Sequence, residues 1–187
     1  MFLESQIEPD LDIAGLLLSA IIADTLNFKS PTTTKQDRKM AQHWSDLTGL
    51  DIEELSESIF KASSKVLMDD LNTLLMSDMK EYMVQDKKII ISQRTMYRLN
   101  EAEATADEII KVMESRAQDK DVYLWLMMFT SARDSGSIFF AAGPGKDIVP
   151  EVFPNKEGEE YTFQNGVVSR KNQVVPQIFL YLREGRY

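Results

Sequence analysis

Three places in the sequence carry residue types that could do chemistry. Asp24 lies in IIADTLNFKSPT, near the end of an almost wholly apolar stretch. An ionised carboxylate there is costly unless it is paired or bound to a metal, or else it faces solvent or caps neighbouring amides. Lys29, five residues on, either pairs with it or faces water. Arg170 and Lys171 stand side by side in SRKNQVVP, residues 169–176, at an expected strand-to-helix junction. A helix N-terminus offers free amides and a positive dipole end, so cations added there make a phosphate or carboxylate site. The same charges oppose the helix dipole, which leaves an anion site or two solvated charges as the readings. Lys80, in MSDMKEY, is a third basic candidate.

Other chemistries are narrowed by what is scarce. The 187 residues hold no cysteine and one histidine, His43. Disulfides, thiolate metal sites and cysteine nucleophiles are thereby removed, and a His-rich metal site has no second histidine to draw on. His43 lies in AQHWSDL, an amphipathic stretch, and reads as a surface or packing residue. The net charge of −9 opposes nucleic acid and anionic membrane as partners, because both demand a positive field. No apolar run reaches the ~20 residues of a membrane span, and MFLESQ lacks the basic start of a secretory signal. A cytoplasmic protein is expected. GPGK, residues 143–146, lacks the spacing of a P-loop and reads as an ordinary loop; YLWLMMF, residues 123–129, reads as core strand.

The elements that must position the candidates fall into two groups. Residues 11–28 read as a buried helix ending near Lys29, since Pro31 disfavours helical backbone at Ser30. Thr32, Thr33 and Thr34 supply N-cap candidates for a helix over 34–48 stopped at Gly49, and Asp51 opens a third helix. The first helix is too apolar to be covered by two amphipathic neighbours, which points to a missing upstream surface. MFLESQ reads as helix with no capping residue before it.

After Ser63 and Ser64 the pattern changes. DDLNTLLMSDM reads as a short helix, and KEYMV and KKIIIS as a hairpin turning at Gln85-Asp86. EAEATADEIIKVMESRA reads as one amphipathic helix with Ile109, Val112 and Met113 inward. DVYLWLMMFTSA and SIFFAAG read as strands buried on both faces, YTF as a short strand beyond Gly158, and Asn165-Gly166 as a turn before the terminal helix. The expected organisation is a helical segment over 1–62, a linker at 63–67 and a mixed-sheet α/β domain over 68–187.

At the two clusters the sequence resembles a known family. IAGLLLSAIIADTLNFKSPTTTKQD, residues 13–37, resembles the end of the catalytic domain of family II inorganic pyrophosphatases, and GVVSRKNQVVPQI, residues 166–178, resembles their C-terminal signature. MSDMKEYMV and KKIIISQ also fit the family's pattern, whereas RTMYRLNEAEA departs from it. The resemblance implies a DHH-type catalytic domain holding divalent ions and a DHH-associated domain closing over pyrophosphate. It makes Asp24 a manganese ligand and makes Lys80, Arg170 and Lys171 the phosphate grip, with Asn172 where the family commonly has another base. Manganese, or cobalt or magnesium in its place, would lower the pKa of a bridging water while the cations offset phosphate charge.

The family's His-x-x-x-Asp-x-Asp and Asp-His-His motifs have no counterpart here. One ligand cannot hold a dinuclear site. The resemblance thus implies a piece of a pyrophosphatase, inactive alone, arising as a truncated product, a split gene product or a shortened reading frame. The alternatives are a non-enzymatic module binding phosphate or nucleotide through the same three cations, and an exopolyphosphatase relative. An apolar helix stripped of its packing surface would associate through segment 13–28, as a homo-oligomer or with another chain.

Overall fold

The computed structural model describes residues 9–65, 71–76, 78–154, 161 and 163–185. The expected helix at MFLESQ, residues 66 and 67 of the expected linker, and Gly158 and Thr162 lie outside them. The chain divides into two compact units, Met1–Ala62 and Ser63–Tyr187.

In the first unit, helix α1 (Leu11–Thr25) starts where Asp10 accepts the Ile13 amide at 2.8 Å. Ala14, Leu18, Ile22 and Thr25 recur at helical spacing and form its buried face. That face packs on helix α2 (Lys35–Thr48), which contributes Ala41 and Trp44. Of the three threonines offered as caps, Thr34 is used: it and Asp37 form a reciprocal capping box. Gly49 ends α2 in the left-handed conformation. Helix α3 (Ile52–Lys65) follows, with Ser56 and Phe60 buried. Leu11, Ile13 and Leu16 of α1 are exposed, so the expected burial all round is met on one side only.

The second unit is a five-stranded mixed sheet in the order β1-β2-β3-β4-β5. Helix α4 (Leu71–Met76) leads into β1 (Met79–Val84), which turns at Gln85-Asp86 into β2 (Lys87–Met96) as the dipeptide predicts. Helices α5 (Asn100–Ala104) and α6 (Ala106–Asp119) carry the chain back to β3 (Leu124–Ser131), parallel to β2. The sequence pattern suggests one helix here; Thr105, at φ −115°, interrupts it. β4 (Gly136–Ala142) runs antiparallel to β3, and β5 is only Gln164–Asn165, displaced from the expected YTF. Between them lies the short helix α7 (Ile148–Val152), which the sequence pattern does not announce.

All eight residues of β3 are buried. Trp125, Met127 and Phe129 join Ile90, Ile109 and Met113 in one core, while Leu124, Leu126 and Met128 join Ile89, Ile91, Ile178 and Leu182 in the other. The period-two alternation of strands β2 to β4 thus feeds two layers, with α6 on one face and helix α8 (Val175–Arg183) on the other.

The GPGK loop is tied to α6. Gly143 sits at φ 91°, where an added Cβ would fall 2.8 Å from the Tyr123 carbonyl oxygen, so only glycine fits. The Glu114 carboxylate accepts its amide at 3.1 Å and pairs with Lys146 at 2.8 Å. The Lys146 hydrogen bond holds the Glu114 carboxyl below its ordinary value and raises Lys146 in turn. A carboxyl lowered by folding stabilises above its unfolded pKa and loses that contribution as pH falls through its folded one. Glu114→Gln should therefore be less stable than wild type near neutrality by no more than about 1 kcal/mol, the pair being exposed. In urea titrations the two proteins should converge as pH drops through the acidic carboxylate range.

Candidate anion-binding site

Asp24 occupies the last turn of α1 and is exposed. Just after it Leu26, Asn27 and Phe28 take φ values of 52°, 49° and 64°, so the helix ends at Thr25 rather than near Lys29. Left-handed backbone costs a non-glycine residue roughly 1–2 kcal/mol. Local hydrogen bonds hold it here: Asn27 N–H to the Ile22 carbonyl at 2.8 Å, Ser30 N–H to the Thr25 carbonyl at 2.9 Å, and Phe28 N–H to Thr25 Oγ1 at 3.1 Å. Asn27 is buried and donates to Glu53 at 3.0 Å, and Arg38 donates to the Phe28 carbonyl at 2.9 Å. The turn after Asp24 is thus overdetermined by its surroundings.

Arg170 and Lys171 open a five-residue π-helical turn, Arg170–Val174, that runs into α8. Two neutral side chains fix it. Gln173 accepts the amides of Val168 at 3.0 Å and Ser169 at 2.9 Å, and donates to the Gly166 carbonyl at 2.8 Å. From β2, Gln93 donates to the Val168 carbonyl at 3.1 Å and to Thr130 Oγ1 at 3.2 Å, and accepts the Arg170 amide at 3.3 Å. Ser169 takes the Asn172 amide at 3.3 Å. The amides of Arg170 and Asn172 are therefore occupied. Side-chain cations, more than free helix-terminal amides, are what this junction offers an anion.

The Arg170 guanidinium folds back on the sheet. Its Nη1 donates to the carbonyls of Asp78 and of Ile91, the latter at 3.2 Å, and its Nη2 to Asp78 Oδ1 at 2.8 Å. A guanidinium has five N–H donors. Three are engaged, leaving the Nε–H and one Nη2–H. Lys80 pairs across the hairpin with Ile91, the residue whose carbonyl receives Arg170. The register thus brings Lys80, Arg170 and Lys171 to one end of the sheet. Lys80 and Lys171 are exposed, with no ion pair to either among the described residues.

Sequence reasoning did not single out Gln93, Gln173, Asp78 or Arg94. The two glutamines are neutral and show no periodic signal, although Gln173 sits inside the recognised S-R-K-x-Q stretch. Arg94 opens the RTMYRLNEAEA stretch that departs from the family pattern.

Metal chemistry is a separate matter. Among the described residues no three His, Asp or Glu side chains gather to hold an ion, and Asp24 is exposed. The described residues do not fit a manganese ion by themselves.

The architecture is that of an α/β domain with a mixed sheet and a cationic turn at one end of it. Residues 57–179 match the DHHA2 domain, and the chain belongs to that family. It is 31% identical over 178 residues to a protein of Clostridium acetobutylicum named a probable manganese-dependent inorganic pyrophosphatase, covering 95% of this chain and 57% of that one. It is 32% identical to the cobalt-dependent inorganic pyrophosphatase of Clostridium perfringens, over 95% of this chain and 32% of the other. A crystal structure of a Methanococcus jannaschii protein assigned to family II of the inorganic pyrophosphatases superposes with a TM-score of 0.76 at 35% identity, over 92% of this chain and 56% of that one. The chain spans a little over half the length of the Clostridium acetobutylicum relative.

Replacing Gln173 by alanine leaves the Val168 and Ser169 amides without their acceptor. That loss should destabilise the protein by about 1–3 kcal/mol, read from the urea midpoint.

Proposed function

We propose that the chain supplies the phosphate-binding domain, and one metal ligand, of a manganese-dependent inorganic pyrophosphatase that hydrolyses pyrophosphate to two phosphates. The observation that best supports this is the glutamine lock, which holds Arg170 against the sheet with one donor edge still to give. The Nε–H and the remaining Nη2–H suit two oxygens of one phosphate, and bidentate pairing of that kind is what guanidinium does best. Lys80 and Lys171 add point charges that offset the phosphates' own. The similarity to pyrophosphatases of both clostridia supports the same substrate.

In this reading residues 68–187 form the substrate clamp, 63–67 the linker, and 1–62 the end of a catalytic domain in which Asp24 is one ligand. The other metal ligands would come from outside this chain, which acts in the cytoplasm. Alone the chain binds pyrophosphate without turning it over. Calorimetry on the full chain should show pyrophosphate binding that Arg170→Ala weakens by at least about tenfold, the loss expected for a charge-assisted pair. Manganese-dependent release of phosphate by the purified chain would overturn the claim of inactivity. No binding, unchanged in Arg170→Ala, would overturn the phosphate clamp.

Association through segment 13–28 belongs to the same proposal. Ile13, Leu16 and Ala20, three and four residues apart, present an exposed apolar strip on α1 opposite its buried face, and Leu16 alone is 65% exposed. Light scattering should report an oligomer that Leu16→Glu shifts to the monomer; a monomeric wild type would count against it.

A further inference from the structure

Two hydroxyls lie buried behind the cationic turn. Thr130 ends the apolar stretch of β3 and by strand alternation faces α8 with Leu126 and Met128; Ser137 is its partner on β4. Both are fully buried. A buried hydroxyl is costly unless it is hydrogen-bonded, and valine would fill the Thr130 position without that demand.

Their hydrogen bonds run one way. The Val167 carbonyl can only accept, and Ser137 Oγ donates to it at 2.7 Å. A serine has a single O–H to give. Ser137 Oγ must then accept at its 2.9 Å contact with Thr130, whose own O–H is spent there. Thr130 Oγ1 has only lone pairs left for Gln93, and Gln93 Nε2 donates to it at 3.2 Å and to the Val168 carbonyl at 3.1 Å. At the other end of the same amide, Oε1 accepts the Arg170 N–H at 3.3 Å. Turned over, the amide would set its oxygen against the Val168 carbonyl and its NH2 against the Arg170 N–H. The chain of bonds thus starts at the Arg170 amide, crosses β2, β3 and β4, and returns to the same turn at the Val167 carbonyl. Links that all donate in one direction polarise one another.

We propose that Thr130 and Ser137 are positioning residues for the phosphate grip: their enforced donor direction selects the Gln93 amide orientation that holds the Arg170 main chain, and so aims the open guanidinium edge at the anion. The inference rests on the reading of Arg170 as a phosphate ligand. β2 holds that residue twice, by its amide through Gln93 and by its guanidinium through the Ile91 carbonyl at 3.2 Å. Without the first anchor the arginine keeps its charge and loses its aim. The loss falls on bidentate pairing, which needs a fixed geometry, more than on point-charge attraction.

Calorimetry with pyrophosphate on the full chain tests this, using Thr130→Val, Thr130→Ser, Ser137→Ala and, as the control, Ser92→Ala. Ser92 is a buried hydroxyl of the same sheet that donates to the Leu75 carbonyl at 3.0 Å and accepts from Trp125 Nε1 at 3.2 Å, within the core on the α6 face. Thr130→Val should weaken binding about three- to tenfold, the scale of one neutral hydrogen bond, and Thr130→Ser should recover it. Ser137→Ala should weaken it less, because Thr130 still accepts from Gln93, and joined to Thr130→Val it should add nothing. Ser92→Ala should lower the urea midpoint and leave affinity within about twofold. Hydrogen exchange of the Arg170 amide, read without ligand, should quicken several-fold in Thr130→Val and in Ser137→Ala but not in Ser92→Ala. Thr130→Val binding as wild type does, multiplied losses in the double variant, an equal loss in Ser92→Ala, or unchanged exchange at Arg170 overturns the proposal. Arg170→Ala separates the two ideas: if it abolishes binding that Thr130→Val leaves intact, the clamp stands and this inference alone falls, whereas a wild type that binds no pyrophosphate overturns both.

Discussion

Fixing a positively charged turn without cancelling its charge is the constraint on which the candidate site depends. Acidic side chains would hold residues 166–173 firmly and would also neutralise Arg170 and Lys171. Neutral amides avoid this. Gln93 and Gln173 each both donate and accept, and between them they satisfy the amides of Val168, Ser169 and Arg170 and the carbonyls of Gly166 and Val168. The positive field of the turn survives its own anchoring. Asp78 is the exception, a single acid on Arg170, and it is the more solvent-open partner of that contact.

The sheet decides where this turn can sit. β2 and β3 are parallel, and Gln93 and Thr130 lie toward their carboxyl ends, where open α/β sheets bind ligands because chain reversals leave a crevice there. β1 runs antiparallel to β2, so its start, with Asp78 and Lys80, arrives at the same end. Burial of every β3 residue makes the platform rigid, since two apolar layers close on it from opposite faces. Three segments far apart in sequence thus converge through strand direction alone.

Much of this was legible in the sequence, for identifiable reasons. The apolar runs at 123–129 and 138–142, bounded by turn residues, read as strands buried on both faces, and threonine and glycine marked both ends of α2. The basic residues were visible because a pair of cations at a helix start works against the dipole. What escaped has a common cause. Gln93 and Gln173 act through geometry that no charge or period reveals, and the break at Thr105 interrupts a pattern whose apolar residues continue in phase. The left-handed run Leu26–Phe28 is carried by residues with no preference for that conformation, so tertiary context overrides propensity there. Asp24 was found by its apolar neighbourhood, yet it stands exposed at the helix end, because a last-turn position lets a side chain leave the buried stripe.

The bond from the Arg170 amide to Gln93 spans 77 residues of chain. Translation proceeds at about 5–20 residues per second, so several seconds separate the emergence of these two partners. During that interval strands β1 to β4 can pair and bury their core, but Gln93 has neither Val168 nor Arg170 to meet. Assembly of the cationic turn is therefore a late event in biogenesis, reserved for a sheet that has already formed.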